Sequence, residues 1–224
     1  MIALFLLLAL SNLHCQNLNT SGYFEPPLVG RYYTWASSGI GSPLLQDWQY
    51  GYIFLNTGDT VTNKLLNMDC SKNTLLWVKE GKSIVAVDKN SIKGFNIQNP
   101  NGKVRNFMKV GLKSPLGIDT AQLYLEVLHV GDISLYVYRK VAIYNQVSIV
   151  NGKSVALKKY INEPVYYIRI KTQPLKALRV NKRSIISAFD DEHKIKEILK
   201  NNRIRKIKSE NQLLDAIQVI ERNL

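Results

Sequence analysis

Cysteine is almost absent from this 224-residue chain, with Cys15 and Cys70 the only two. Cys15 closes an apolar N-terminal run. If that run is cut away with it, Cys70 stands alone and no intramolecular disulfide can form, even in an oxidising compartment. Packing must then hold the fold. Histidine is nearly as scarce: His14, His129 and His193 lie far apart, not at the four-residue spacing of a helical zinc pair. Acid is in deficit, 17 Asp and Glu against 30 Lys and Arg, which leaves a net charge of +13. The chain also lacks a long apolar run. Ile2 to Leu10 is an apolar stretch of nine residues, well short of the roughly 20 that a membrane-spanning helix needs. No low-complexity tract and no repeat at a solenoid period is present.

What is present is the composition of a folded protein, 46% hydrophobic and 21% charged. The length suits one substantial core with an appendage. The excess positive charge predicts attraction to anionic surfaces and polymers and carries no information about fold. It is uneven: residues 151–224 hold 17 Lys and Arg against 8 Asp and Glu, residues 1–150 hold 13 against 9. The basic end is the C-terminal end.

The run "IALFLLLAL" has the length of the apolar segment of a secretory signal, and neither alternation nor a polar face to make it a buried strand. It leads into "LHCQN" at 13–17. A lipoprotein signal places a small residue just before the modified cysteine, where this chain has His14. Ordinary signal peptidase reads small or modest side chains at the first and third positions before the cut, and Cys15 and Leu13 suit a cut before Gln16. The reading is therefore a signal peptide over 1–15 and export to the periplasm, the outer membrane or the medium.

From about Gly30 to Val180, short runs rich in Val, Ile, Tyr and Leu are punctuated by Gly and Asn turns, which predicts antiparallel strands. "YIFLN" at 52–56 leads through "TGD" to "TVTNKLLNMD". "TLLWVK" at 74–79 leads through "EGK" to "SIVAVD" at 83–88. "LYLEVLHVGDISLYVYRKV" at 123–141 turns at "VGD", and "VYYIRIK" pairs with "LKALRV" across "TQP". Asn-Gly pairs in "NPNG" (99–102) and "VNGK" (150–153) supply the positive φ angles of tight hairpin turns. The link "LKSPLGIDT" divides this region into two halves, 41–111 and 118–180, of a single sheet system.

Near Asn181 the apolar period lengthens to that of a helix. Ile185, Ile186 and Phe189 form one short face. Ile195, Ile198 and Leu199 form another, on a helix opening at Asp190 or Asp191. In "SENQ" at 209–212, Ser209 is predicted to accept from the amide of Gln212 while the Gln212 side chain returns to the amide of Ser209. Leu213, Ile217 and Ile220 then recur at helical spacing. The fold class is α+β: a 16–40 extension, an antiparallel sandwich- or barrel-like β body over 41–180, and a helical tail of about three helices over 181–224 packed on it.

The phrases "GSPLLQDWQYGYIFLNTGD", "LLWVKEGKSIVAVDKNSIKGFNI", "LYLEVLHVGDISLYV" and "KRSIISAF...KIKEILKNNRI...SENQLLDAI", in that order, resemble a family of uncharacterised exported proteins of bacteroidete bacteria. The resemblance spans about Gly41 to Ile217 and rests on order and spacing. It implies export, a β-rich body and a helical tail, and it brings no catalytic residues.

The residues themselves offer no catalytic constellation. Asp47, Asp59, Asp69, Asp88, Asp119 and Asp132 fall at predicted turns, where aspartate bonds its own backbone, rather than as a converging pair. Cys70, in "NMDCSKNT", reads as a turn residue without a base. His129 reads as a strand end and His193 as a first-turn helix residue facing water. "SSGIGSP" at 37–43 lacks the Lys-Ser/Thr of a phosphate loop and the first glycine of a nucleophile elbow, and reads as a flexible loop. "DTV" and "DTA" match a short O-glycosylation pattern of the same bacteria, a pattern frequent by chance. No metal and no cofactor is expected.

One cluster remains, "KNNRIRKIK", in which Lys200, Arg203, Arg205, Lys206 and Lys208 crowd between two helices. It is either an anion-binding patch or a solvated connection anchored by Ile204 and Ile207. The expectation is a non-enzymatic envelope protein that binds or scaffolds, with an anionic envelope lipid or polysaccharide, or an envelope protein, as partner. Nucleic acid is disfavoured by export and by the absence of a binding motif. The alternatives are an exported hydrolase with a site assembled from scattered residues, and a subunit of a surface or secretion assembly.

Overall fold

The computed structural model describes residues 22–25, 28–34, 39–79, 83–98, 101–113, 120–150 and 153–224. The signal segment, the "EGK" turn, the link at 114–119 and the Asn151-Gly152 pair lie outside them.

Strand formation follows the alternating apolar pattern. In chain order the strands are β1 (Gly22–Glu25), β2 (Leu28–Tyr32), β3 (Gly39–Ile40), β4 (Gln49–Leu55), β5 (Thr60–Asp69), β6 (Thr74–Val78), β7 (Ile84–Val87), β8 (Ile92–Gln98), β9 (Val104–Lys113) and β10 (Thr120–His129). They continue as β11 (Ile133–Tyr138), β12 (Val141–Val150), β13 (Lys153–Asn162), β14 (Val165–Ile170) and β15 (Lys176–Leu178). The helices are α1 (Lys182–Ile186), α2 (Glu192–Asn201) and α3 (Glu210–Asn223). The protein is α+β, with a mostly antiparallel β body and its last helix at the C-terminus.

Among the described residues, twelve strands form one sheet in the order β1-β2-β7-β6-β5-β4-β8-β9-β10-β11-β14-β15. Strands from both halves of the predicted body lie in it, joined where β9 of the first half pairs with β10 of the second. The segment read as an N-terminal extension supplies β1 and β2 at one edge. The hairpin β12–β13 leaves this sheet and forms a second, three-stranded one with β3.

The cross-strand register explains where the core sits. Ile53, Phe95, Phe107, Glu126, Val137, Tyr166 and Leu178 oppose one another in turn across seven strands. Directly opposed residues share a face of the sheet, so this row lines one surface. Its first part belongs to a cluster with Leu66, Met68, Trp77 and Tyr124. There Phe95 stacks on Phe107 with ring centroids 4.7 Å apart. Its last part joins Ile133, Leu135 and Ile168 beneath the helices, which contribute Ile185, Ile195, Leu199, Leu213, Ile217 and Ile220. Glu126 is the one charge in the row.

Helix boundaries follow local chemistry. Asn181, Asp191 and Ser209 are the N-caps, accepting from the amides of Ser184, Lys194 and Gln212. The predicted capping box is modified: Gln212 Oε1 accepts from the Lys208 amide at 2.8 Å rather than from that of Ser209. The side chain thus tethers the connection one residue further upstream. "SSGIGSP" also departs from a flexible loop, since Gly39 and Ile40 pair in parallel with Lys158 and Lys159. A Cβ at Gly39 would stand 2.7 Å from both the Lys158 carbonyl and the Tyr160 ring. The glycine permits that close approach.

Candidate functional site

A charged residue on the apolar face of a sheet must be compensated, because burial of an isolated carboxylate costs several kcal/mol. Glu126, 5% exposed, is met from both sides. Arg105 on β9 donates Nε to Glu126 Oε1 at 2.8 Å and Nη2 to Oε2 at 2.7 Å. Arg139, just after β11, donates Nε to the same Oε2. Its Nη1 and Nη2 reach Glu210 in the first turn of α3 at 2.7 and 2.8 Å. Tyr166 donates to Glu210 Oε2 at 3.0 Å, and Gln46 accepts from Arg105 Nη1 at 3.1 Å.

Burial pushes the Glu126 carboxyl up, but the Arg105 hydrogen bond and both guanidinium charges outweigh it and hold it below the ordinary carboxylate range. Arg139 is likewise pulled down by burial and raised on balance by Glu210 and Glu126. Two acids neutralise two bases, which fastens α3 to β9, β10 and β14. Sequence reading missed this cluster. Sequence carried no signal for it: in "LYLEVL" Glu126 falls between the alternating apolar residues Leu123, Leu125 and Val127, where a solvent-facing residue is expected.

A cavity of about 270 Å³ adjoins the cluster, bordered by Leu45, Cys70, Arg105, Arg139, Lys140 and Asn162. Cys70 is at a turn, as expected, and is buried. Burial, with Asp69 and Glu126 adding to it and Arg105 and Arg139 opposing, pushes its thiol up to about 12. That is the opposite of an activated nucleophile. Lys140 reaches Glu163 at 3.2 Å.

Asp69 accepts from the Ser71 amide and hydroxyl and from the Lys72 amide, the turn role expected of it. It also accepts from the Tyr33 hydroxyl. His129 ends β10, and its Nε2 lies 2.6 Å from Glu221 Oε2 on α3. Glu221 Oε1 accepts from the Ile133 amide at 2.9 Å. The pair therefore locks α3 over the β10–β11 turn. His193 lies in the first turn of α2 and faces water. A second cavity of about 590 Å³ is bordered by Asp132, Lys171, Asp190, Asp191, Lys194 and Glu221. Among the described residues no group of three or more His, Cys, Asp or Glu side chains could hold a metal ion.

The five basic candidates fall where α2 gives way to an extended connection. Lys200 closes the last turn of α2. Arg203 takes a left-handed φ of 59°, and Arg205, Lys206 and Lys208 line the run to Ser209. All five are exposed, while Ile207 is buried and Ile204 packs on the helical core.

Sequence reading set a hairpin turn at "VNGK" but gave no sign that the β12–β13 strands on either side of it stand clear of the core. The root of this hairpin is built in: Val141 is buried in the core with Tyr160 packed against it. The Val141 amide bonds the Cys70 carbonyl, and Tyr144 donates to Glu163 at 2.6 Å. Beyond the root the register places Ile143, Val147 and Ile149 on one face and Tyr144, Val155 and Ile161 on the other. All six are exposed, Val147 by 72% and Ile149 by 78%. Among the described residues this ribbon therefore leaves apolar side chains uncovered on both faces.

No helix among the described residues is long and apolar enough to cross a membrane, which says nothing of strands. No protein-family model, curated protein or solved structure matches the chain.

Proposed function

We propose that this is an exported envelope protein of the uncharacterised bacteroidete group it resembles, acting as a non-enzymatic binding module. Its sheet and helical cap form a rigid mount, and the β12–β13 arm is the binding element. The observation that carries the reading is the arm itself, whose apolar side chains on both faces have no cover among the described residues. The other concentrated chemistry is internally matched: Glu126 and Glu210 are bound by Arg105 and Arg139, and the Cys70 thiol is held protonated. The basic residues of the C-terminal region add long-range attraction to anionic surfaces.

A photo-crosslinking residue placed at Val147 in the native host should yield an adduct with an envelope component, and intact mass should show a chain beginning at Gln16. Absence of any adduct in exported protein counts against the arm as binding element, and an uncut cytoplasmic chain counts against export. A hydrolase is the second reading, favoured by the four carboxylates that border the larger cavity. It requires an activity that Asp190→Asn removes without loss of stability.

A further inference from the structure

We infer that the partner of the β12–β13 arm is the surface of an anionic lipid bilayer, into whose headgroup region the arm inserts. The inference rests on the binding-module reading and names its partner. Residues 141–162 carry Lys153, Lys158 and Lys159 and no Asp or Glu. The register sets Lys158 on the face of Ile143, Val147 and Ile149, and Lys153 and Lys159 on the face of Tyr144, Val155 and Ile161. Each face therefore interleaves apolar groups with ammonium groups.

That pattern selects among partners. A second copy of the arm would set three lysines against three, with no acid on either side. A soluble polyanion would satisfy the lysines and leave the isoleucines and valines in water. A groove on a protein covers one face of a ribbon, whereas immersion covers both. At a bilayer interface the aliphatic groups leave water while lysine stems lie along them and carry the charge to lipid phosphates.

The depth is limited by the backbone. β12 is the outer strand of the three-stranded sheet, and a strand edge cannot be left unpaired in hydrocarbon, so insertion stops where water still reaches the amides. Ten residues per strand give a reach of about 33 Å, ample for the outer half to enter the headgroups while the root stays on the body.

The test is flotation of the exported protein with phosphatidylcholine vesicles and with vesicles that also contain phosphatidylglycerol, at low and high salt. Lys153 lies in the inserted outer half and Lys158 and Lys159 nearer the root, so partition should be stronger by about fivefold or more on the anionic vesicles, weakened by salt. The Val147→Asn/Ile149→Asn variant should partition at least about tenfold more weakly. Lys153→Gln/Lys158→Gln/Lys159→Gln should lose most of the preference for anionic over neutral vesicles. Both variants alter exposed side chains, and an unchanged Tm certifies their folding.

Equal flotation of the wild type and both variants would overturn the inference and assign anionic binding to another basic surface. No flotation, with Val147 still cross-linking to an envelope protein in cells, would overturn the lipid partner and leave the binding module standing. No flotation and no adduct would remove both.

Discussion

At the residue scale, Glu126 is the side chain on which most depends. It sits in a row of aromatic and aliphatic residues and is held by two guanidiniums. Removing one member of a buried ion pair typically costs 3–5 kcal/mol, because the partner charge is left uncompensated. Glu126→Gln should therefore lower unfolding stability by about 3–5 kcal/mol in urea titration at neutral pH. The pH dependence has a definite sign. The folded-state pKa lies below the ordinary value of 4.5, so the stabilisation is fully present above that value and is lost as pH falls through the folded pKa. Stability of the wild type should decline in acid more steeply than that of Glu126→Gln. Cys70 titrates in the opposite sense. Its pKa is raised from 9.0 to about 12, so the stability of burying a neutral thiol is present below pH 9 and is lost as pH rises toward 12. A thiol reagent at pH 8 should leave Cys70 unmodified in native protein and label it at once after unfolding.

At the element scale, the helices are set by their caps and the arm by its root. Ser209→Ala removes the acceptor for the Gln212 amide and should cost about 1 kcal/mol in thermal or urea unfolding. The Glu221 lock is tighter. Its carboxylate holds the Ile133 amide and His129 from across the fold, and a Cβ at Gly131 would come within 2.1 Å of Glu221 Oε1. Gly131→Ala should displace that carboxylate and cost about 1–3 kcal/mol, with Glu221→Ala costing a similar amount. In contrast, Val147→Asn/Ile149→Asn touches nothing in the core and should leave stability within about 0.5 kcal/mol. The outer part of the arm is thus expected to be energetically separable from the core on which its root, Val141, is built.

At the scale of the whole molecule, two apolar clusters share one sheet, with the ion cluster between them in the same cross-strand row. The two are connected through paired strands. Leu66→Ala in one cluster and Leu135→Ala in the other each empty a fully buried site and should each cost about 2–5 kcal/mol. Both should shift a single calorimetric transition. Two separable transitions, each answering to one variant only, would show that the clusters unfold independently.

The sequence by itself determined the local elements. A strand-type run after the "TGD" turn marked β5 at Thr60–Asp69, and the helix caps were readable from residue type, at Ser209 and at Asp190 or Asp191, of which Asp191 is the cap. Each of these depends on interactions within a few residues, so periodicity and capping chemistry encode them directly. The tertiary structure alone decided which strands are neighbours, because pairing β4 with β8, or β2 with β7, joins segments far apart in the chain. It brought Arg105, Glu126, Arg139 and Glu210 into one cluster from β9, β10, the connection after β11 and α3, which no sequence spacing relates. Among the described residues it also left β12–β13 uncovered. Alternating apolar residues look alike in a buried strand and in an exposed arm, and only the packing of the rest of the chain distinguishes them.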